Sequence, residues 1–266
     1  PEAVHLAFTQ FTAGPFRIGY LGFPVGGLLA GDSLSGALLN RLRRSDAKSL
    51  PVALRIPVSG FGPEVELDLS YEATAETAIV DLQSWTLAGL NKNRRRDVNR
   101  SLRSDLELVD ATNPDDGVRI YELYRATLER NDGSLRYTEM YFRELITLAR
   151  NNPRVRVLLA RHGEMIAAFT VVVLHGTVAY YLHGAFDWEM REHLPSAMLL
   201  HEAIEWSKAK GCGSFNLMSS PVGQDTLIKY KERWGAETRE HRTYTLPLRP
   251  TYPLFKLAER VYRLLQ

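Results

Sequence analysis

VRVLLARHGEMIAAFTVVVLHGTVAYYLHGAF (155–186) holds three apolar runs, VRVLLAR (155–161), MIAAFTVVVLH (165–175) and TVAYYLHGAF (177–186). They are joined by His162-Gly163 and His175-Gly176. Links this short leave no room for a crossover helix, so the runs are expected as adjacent antiparallel strands. Upstream, LELV (106–109) reads as a short strand. Pro114, Asp115 and Asp116 suit the first turn of a helix. Its apolar side is Ile120, Leu123, Tyr124, Thr127 and Leu128, and Asn131-Asp132-Gly133 ends it. A second helix carries Phe142, Leu145, Ile146 and Ala149 on one face and stops at Asn152-Pro153. Downstream, a helix runs from Pro195 to about Lys210, with Leu199, Leu200, Ala203 and Ile204 inward and Glu202, Glu205 and Lys208 outward. Gly211 closes it. SFNLM (214–218) is a strand, TLIKYKERW (226–234) a helix ended by Gly235, and REHRTYTLPL (239–248) a final strand.

The first ninety residues are mixed. PVALRIPV (51–58), VELDL (65–69) and TAIVDL (77–82) read as strands. GYLGFPVGG (19–27) lacks the Gly-Lys-Ser/Thr of a nucleotide P-loop and reads as a turn between short strands. Asp32-Ser33 opens a helix through Leu38, Leu39 and Leu42. Ser84 is read as the cap of a further helix that includes LAGLNKNRRRDVNRSLR (87–103). There Lys92, Arg94, Arg95, Arg96, Arg100 and Arg103 face only Asp97. Such a stripe either contacts phosphates or is a solvated face whose long stems cover apolar surface.

The chain has 266 residues, 45% hydrophobic and 24% charged, enough to bury a core without metal or disulfide support. Cys212 is the only cysteine, which excludes an internal disulfide and fits a reducing, cytoplasmic setting. Its place between a helix-stopping glycine and a strand suits packing better than nucleophilic attack. A net charge of +2 selects no partner class. No apolar run reaches the ~18 residues that span a bilayer. PEAVHLAF (1–8) is no signal peptide. The chain opens on Pro1, not Met, so residues are expected upstream and the first unit is read as partial. The last helix, Tyr252 to Leu265, sets Leu254, Leu257, Ala258, Val261 and Leu265 on one side. Docking on the core is expected; with Lys256, Arg260 and Arg263, peripheral contact with an anionic membrane is the alternative. There is no His-Glu-x-x-His pair and no Gly-x-Ser-x-Gly, and the histidines are scattered, so no metal site is expected.

The order of elements from Leu106 onward resembles the GNAT acyltransferase superfamily, and within it the Fem-type (FemAB-like) peptidyltransferases. LNKNRRRDVNRSL (90–102) looks like the basic helix that enters the second half of that group. YYLHGAF (180–186) and HLPSAMLLHEAIEWSKAKGCGSFNL (193–217) resemble its central strand, helix and strand. IKYKERWGAE (228–237) resembles its closing Phe/Tyr-Lys-x-x-aromatic-Gly signature. The likeness covers roughly residues 50–246. It implies an α/β (α+β) protein with a mixed, mainly antiparallel sheet flanked by helices. The divisions it implies are a partial GNAT-like unit over 1–83, a basic connecting helix over 84–103 and a complete domain over 104–266.

The resemblance also implies the chemistry: direct transfer of an acyl or aminoacyl group to a primary amine, without a covalent enzyme intermediate. No cofactor is held permanently; the co-substrate is acyl-CoA or aminoacyl-tRNA, which makes tRNA a candidate partner. The acceptor is a peptide, an amino sugar or another amine-bearing metabolite. Lys231 matches the signature lysine near the reacting centre, where an ammonium can hold an oxyanion or a donor phosphate. Tyr230 falls near the GNAT tyrosine that protonates the leaving group. Neighbours on one helix cannot both face one pocket, so the two compete. His183 and Asp187 lie at the end of the central strand, where either can take a proton from the amine. Tyr181 lines the same expected cleft as a substrate contact. Arg191, Ser196 and Ala197 occupy the position of the GNAT pyrophosphate loop, but Leu194 and Ser196 replace its glycines and Pro195 lacks an amide donor. That departure weakens the case for conventional coenzyme A binding. Arg95 and Arg96 are candidates to steer a phosphate-bearing donor. The rival readings are an acetyl-CoA-dependent N-acetyltransferase of small amines and a non-catalytic binding module.

Overall fold

The computed structural model describes residues 8–21, 50–131, 133 and 135–264. The helix expected from Asp32-Ser33 and most of the 19–27 glycine-rich stretch lie outside them. The described residues fall into two compact units, and the larger comprises Thr77–Met218 with Gly223–Thr238.

In the larger unit the strand order is β9-β8-β7-β6-β5. These strands are β5 (Glu107–Asp110), β6 (Val155–His162), β7 (Met165–His175), β8 (Val178–Phe186) and β9 (Ser214–Ser220). The short glycine links give the expected result: β6–β7 and β7–β8 pair antiparallel, with Gly163 and Gly176 both at positive φ in the turns. Helices α2 (Asp116–Arg130) and α3 (Glu139–Asn151) pack on one face. They bury Ile120, Leu123, Phe142, Leu145 and Ile146 against Val157, Leu159, Phe169 and Val171. The other face carries α1 (Lys92–Ser101), α4 (Pro195–Ala209) and α5 (Asp225–Glu232). There Val98, Leu199, Leu200, Ala203, Ile204 and Trp234 pack on Leu158, Ala167 and Val172. Cys212 is buried in this second cluster, and burial raises its thiol pKa. The period-2 and period-3.6 apolar patterns thus meet across one sheet, as the sequence requires.

The smaller unit contains β1 (Phe8–Ala13), β2 (Phe16–Leu21), β3 (Ala53–Val58) and most of β10 (Glu237–Pro247). β1 and β2 form a hairpin, β2 runs parallel to β3, and β3 pairs antiparallel with β10. Helix α6 (Tyr252–Leu264) docks through Phe255, which meets Ile18 and Val52. The apolar side expected to dock is not the buried one: Leu254, Leu257 and Val261 are exposed.

Two further expectations need correction. VELDL (65–69) keeps its alternation but is not a strand, and β4 runs from Tyr71 to Ile79. Alternation without a ladder partner makes no strand. The helix expected from Ser84 is two pieces. Thr86 caps a short 3-10 turn (Leu87–Gly89), then Asn91 accepts from the Arg94 amide and starts α1. Two side-chain caps in succession break the segment where its apolar pattern looked continuous.

Candidate active site

β8 and β9 are neighbours in the sheet. These strands pair in parallel only at Val178–Tyr180 against Ser214–Asn216. β8 then continues to Phe186 and β9 to Ser220 with no further pairing between them. A bulge accompanies the parting: Val171 of β7 faces His183, while the next residue, Val172, faces Tyr181. Leu182 is the extra residue. A bulge strengthens local twist and turns the strand away from its neighbour. Within β9, Met218 takes a positive φ of 66°, and its amide donates to Asn216 Oδ1 at 2.7 Å.

Lys231 reaches this end of β9. It is 7% exposed, and its Nζ donates to the Met218 carbonyl at 2.8 Å. The same carbonyl accepts from Thr77 Oγ1 at 3.4 Å. The helix that carries Lys231 is anchored by Trp234, which is fully buried and whose carbonyl accepts from Trp85 Nε1 at 2.8 Å. Gly235, at φ 80°, closes it. A lysine buried this deeply against a carbonyl is held in one place, which is what charge stabilisation of a transition state demands.

Tyr230 and Tyr181 meet on the same face and pack against the same apolar cluster. Burial raises both phenol pKa values, and charge repulsion from the Tyr230 phenol adds to the shift at Tyr181. Both hydroxyls are therefore protonated at neutral pH, the form that donates a proton. Tyr181 fits because residue 184 is glycine: a Cβ there would overlap its hydroxyl.

His183 is on the other face. The bulge at Leu182 reverses the alternation, so His183 lies among Tyr124, Tyr137, Tyr141 and Phe142 of the α2–α3 side. Its Nε2 is 2.9 Å from the Tyr141 hydroxyl. Burial lowers its pKa to about 4, so it is neutral at pH 7 and a weak base. Burial also lifts Tyr137 to about 12 and raises Tyr141. Asp187, at the end of β8, is already engaged. It takes Arg119 Nη2 at 2.6 Å and caps the following 3-10 turn through the Glu189 amide. The structure therefore brings Lys231 to the parted edge, packs Tyr230 and Tyr181 against the apolar cluster of the same face, and leaves His183 and Asp187 in separate contacts.

The turn before α4 holds the remaining candidates. Arg191 is exposed, with Nη1 on the Trp188 carbonyl at 3.0 Å and its guanidinium over the Trp188 ring. Leu194 caps α4 in the left-handed region, at φ 55° and ψ 45°, and makes no side-chain cap hydrogen bond. Pro195 occupies the first turn; Ser196 is half-buried and Ala197 is buried, its amide on the Leu194 carbonyl at 2.9 Å. A β-carbon at 194 and a missing amide at 195 make a poorer anion cradle than glycines do.

On α1, Arg95 donates to the Ala88 carbonyl at 2.8 Å and Arg96 is exposed. The arginine that sequence reasoning passed over is Arg94. It is 7% exposed and stacks on Tyr230 and Trp234, 4.7 and 5.0 Å from the ring centroids. The signal was present: Arg94 shares an i, i+4, i+7 stripe with Val98 and Ser101, the residues α1 buries. Asp105 was missed too. It holds His193 Nδ1 at 2.9 Å and His162 Nε2 at 2.6 Å, which brings together histidines far apart in sequence. Among the described residues no group of His, Cys, Asp and Glu is placed to hold a metal, and no helix is long and apolar enough to cross a membrane.

Comparison with known proteins agrees with this architecture. The structure titled "Crystal structure of FemX" matches with a TM-score of 0.61 at 14% identity, covering 95% of this chain and 85% of the other. L-PGS from Bacillus licheniformis matches with a TM-score of 0.63 at 15% identity, covering 94% and 83%. The C-terminal domain of a protein proposed as a lysylphosphatidylglycerol synthetase, from Agrobacterium fabrum, matches with a TM-score of 0.62 at 14% identity, covering 96% and 84%. At these identities the likeness is one of fold. No curated protein matches the sequence. The family described as "Acetyltransferase (GNAT) domain" matches residues 91–232, which contain the parted β8–β9 edge and Lys231. The chain belongs to the acetyltransferase (GNAT) domain family.

Proposed function

We propose that the chain transfers an aminoacyl or acyl group from an activated donor to a primary amine in one direct step. The observation that carries this reading is the buried Lys231 ammonium at the place where β8 and β9 separate. A neutral amine attacks the donor carbonyl carbon. The C–N bond forms, the carbonyl oxygen gains charge, and the C–O bond of an ester or C–S bond of a thioester then breaks. Lys231 stabilises the oxyanion. Tyr181, protonated, supplies the proton that the leaving group takes up, and the surplus proton on nitrogen returns through solvent to that phenol. His183 and Asp187 have no part in this scheme, since one is a weak base in an aromatic nest and the other is paired with Arg119.

The turn at Leu194-Pro195 favours an aminoacyl-tRNA donor over coenzyme A, because it offers fewer free amides to a diphosphate. The names of the similar structures, FemX and a lysylphosphatidylglycerol synthetase, support an aminoacyl donor as well. The family match favours acetyl-CoA as the alternative.

The test is donor consumption. The protein is mixed with labelled aminoacyl-tRNA or with acetyl-CoA and a panel of amines. Expected is aminoacyl transfer that Lys231→Met lowers by about 10²–10³-fold, with no heat of acetyl-CoA binding at millimolar concentration. Tight acetyl-CoA binding with acetyl transfer moves the donor to the alternative. Failure to consume either donor overturns the reading and leaves a binding module.

A further inference from the structure

Arg94 is placed at odds with ordinary arginine behaviour. A guanidinium that leaves water needs its donors paired. Arg94 is 7% exposed, yet its Nε has no hydrogen-bond partner. Its one ion-pair partner, Asp97 Oδ2, stands 3.9 Å from Nη1, too far for a hydrogen bond. The rings of Tyr230 and Trp234 hold the guanidinium in place, and Nε is left without a hydrogen-bond partner.

The surroundings repeat the message. Arg94 lines a surface cavity of about 430 Å3 with Asn91, Lys92, Asn93, Asp97 and Arg233. Lys92, Arg94 and Arg233 set positive charge there against the single carboxylate of Asp97. This is also the N-terminal end of α1, whose first turn carries no acidic residue. A helix N-terminus is the positive end of its dipole, so cations gathered there repel both it and one another. An anion beside the guanidinium removes two costs together: the crowding of cations and the uncompensated dipole.

We propose that the cavity at the start of α1 is a phosphate-binding site, with Arg94 as its buried anchor and Lys92 and Arg233 at its rim. A phosphate monoester or diester fits the donors, since guanidinium and ammonium groups supply N–H bonds to its oxygens. The site shares Tyr230 and Trp234 with the α5 segment that carries Lys231. A phosphate bound here therefore belongs to the donor, either a nucleotide or an RNA strand; this assignment rests on the transfer reading above, whereas phosphate binding itself does not.

Calorimetric titration of the whole chain with pyrophosphate at low salt tests the site without any turnover. Expected is saturable binding, weakened at least about tenfold by Arg94→Met and several-fold by Lys92→Ala and by Arg233→Ala. Arg156→Ala, distant on the β6 surface, leaves it unchanged. Lys92 is exposed and its replacement spares the fold, so that variant decides the matter even if Arg94→Met unfolds. No saturable binding, or equal binding by wild type and both rim variants, overturns the site. Displacement of pyrophosphate by adenosine 3′,5′-bisphosphate assigns a nucleotide donor, and displacement by a short RNA duplex alone assigns a nucleic-acid donor. Displacement by neither overturns the link to a donor. If pyrophosphate binds while no acyl donor is ever consumed, the phosphate site stands and the transfer reading falls.

Discussion

The two faces of β8 are built from similar residue types and give them different surroundings. On one, Tyr181 packs against Tyr230, and α5 beyond it brings Lys231 to the Met218 carbonyl and Trp234 to Arg94. Charge is buried there beside an edge that has lost its ladder. On the other, His183 sits in a nest of Tyr124, Tyr137, Tyr141 and Phe142, neutral and capped by a phenol. The difference comes from one extra residue, Leu182, which puts side chains two apart on opposite sides. Aromatic content says little about where chemistry happens; a buried charge at an unpaired edge says more.

The sharpest way to break this contrast is at Lys231. Lys231→Met keeps the stem and removes the ammonium, and transfer is expected to fall by about 10²–10³-fold in steady-state kinetics. A rate within a few-fold of wild type would remove the charged face from the mechanism. Next in size is the pH response of the aromatic face. The His183 imidazole titrates at about 4 in the folded protein, against ~6.5 for an unfolded chain. Between those values the unfolded state binds a proton that the folded state refuses, so stability is full above pH ~6.5 and falls on acidification. The loss is on the order of 2 kcal/mol near pH ~5, read from urea midpoints at that pH and at neutrality. His183→Gln flattens the profile; an equal slope in both proteins assigns it to another group.

Gly184→Ala probes the fit between the faces, because the new methyl meets the Tyr181 hydroxyl. A loss of about 1–3 kcal/mol is expected, as for overpacking in a core. An unchanged melting temperature would mean that Tyr181 is free to swing aside. The smallest effect belongs to Tyr141→Phe, which removes the hydroxyl at 2.9 Å from His183. About 1 kcal/mol of stability is at stake, with transfer unchanged. A large drop in rate would bring the aromatic face into the reaction after all.

Most of the larger unit was legible in the sequence because its signals are local. The glycine links after β6 and β7, the helical stripes of α2, α3 and α4, and the stops at Gly211 and Gly235 each name an element from a few neighbouring residues. What stayed hidden depends on partners. VELDL looks like a strand until one asks what it pairs with. The run after Ser84 looks like one helix because the competition between Thr86 and Asn91 as caps is invisible in an apolar count. A bulge leaves no residue signature, so Tyr181 and His183 were expected to share a cleft. Arg94 looked like one of several arginines on a basic stripe; only the packing of Tyr230 and Trp234 distinguishes it. Lys231 was legible through a family signature, and its contact with Met218 was not.

The buried state of Cys212 has a practical consequence. With the chain's single thiol shielded by apolar neighbours and its pKa raised by burial, the native protein is a quiet background for site-directed labelling. A cysteine introduced at an exposed residue, such as Val222 or Leu227, reacts with a maleimide or nitroxide reagent ahead of the native one. A spin label at Leu227, on the helix that carries Lys231, reports any movement of that helix when a donor arrives, with no need to remove Cys212 first.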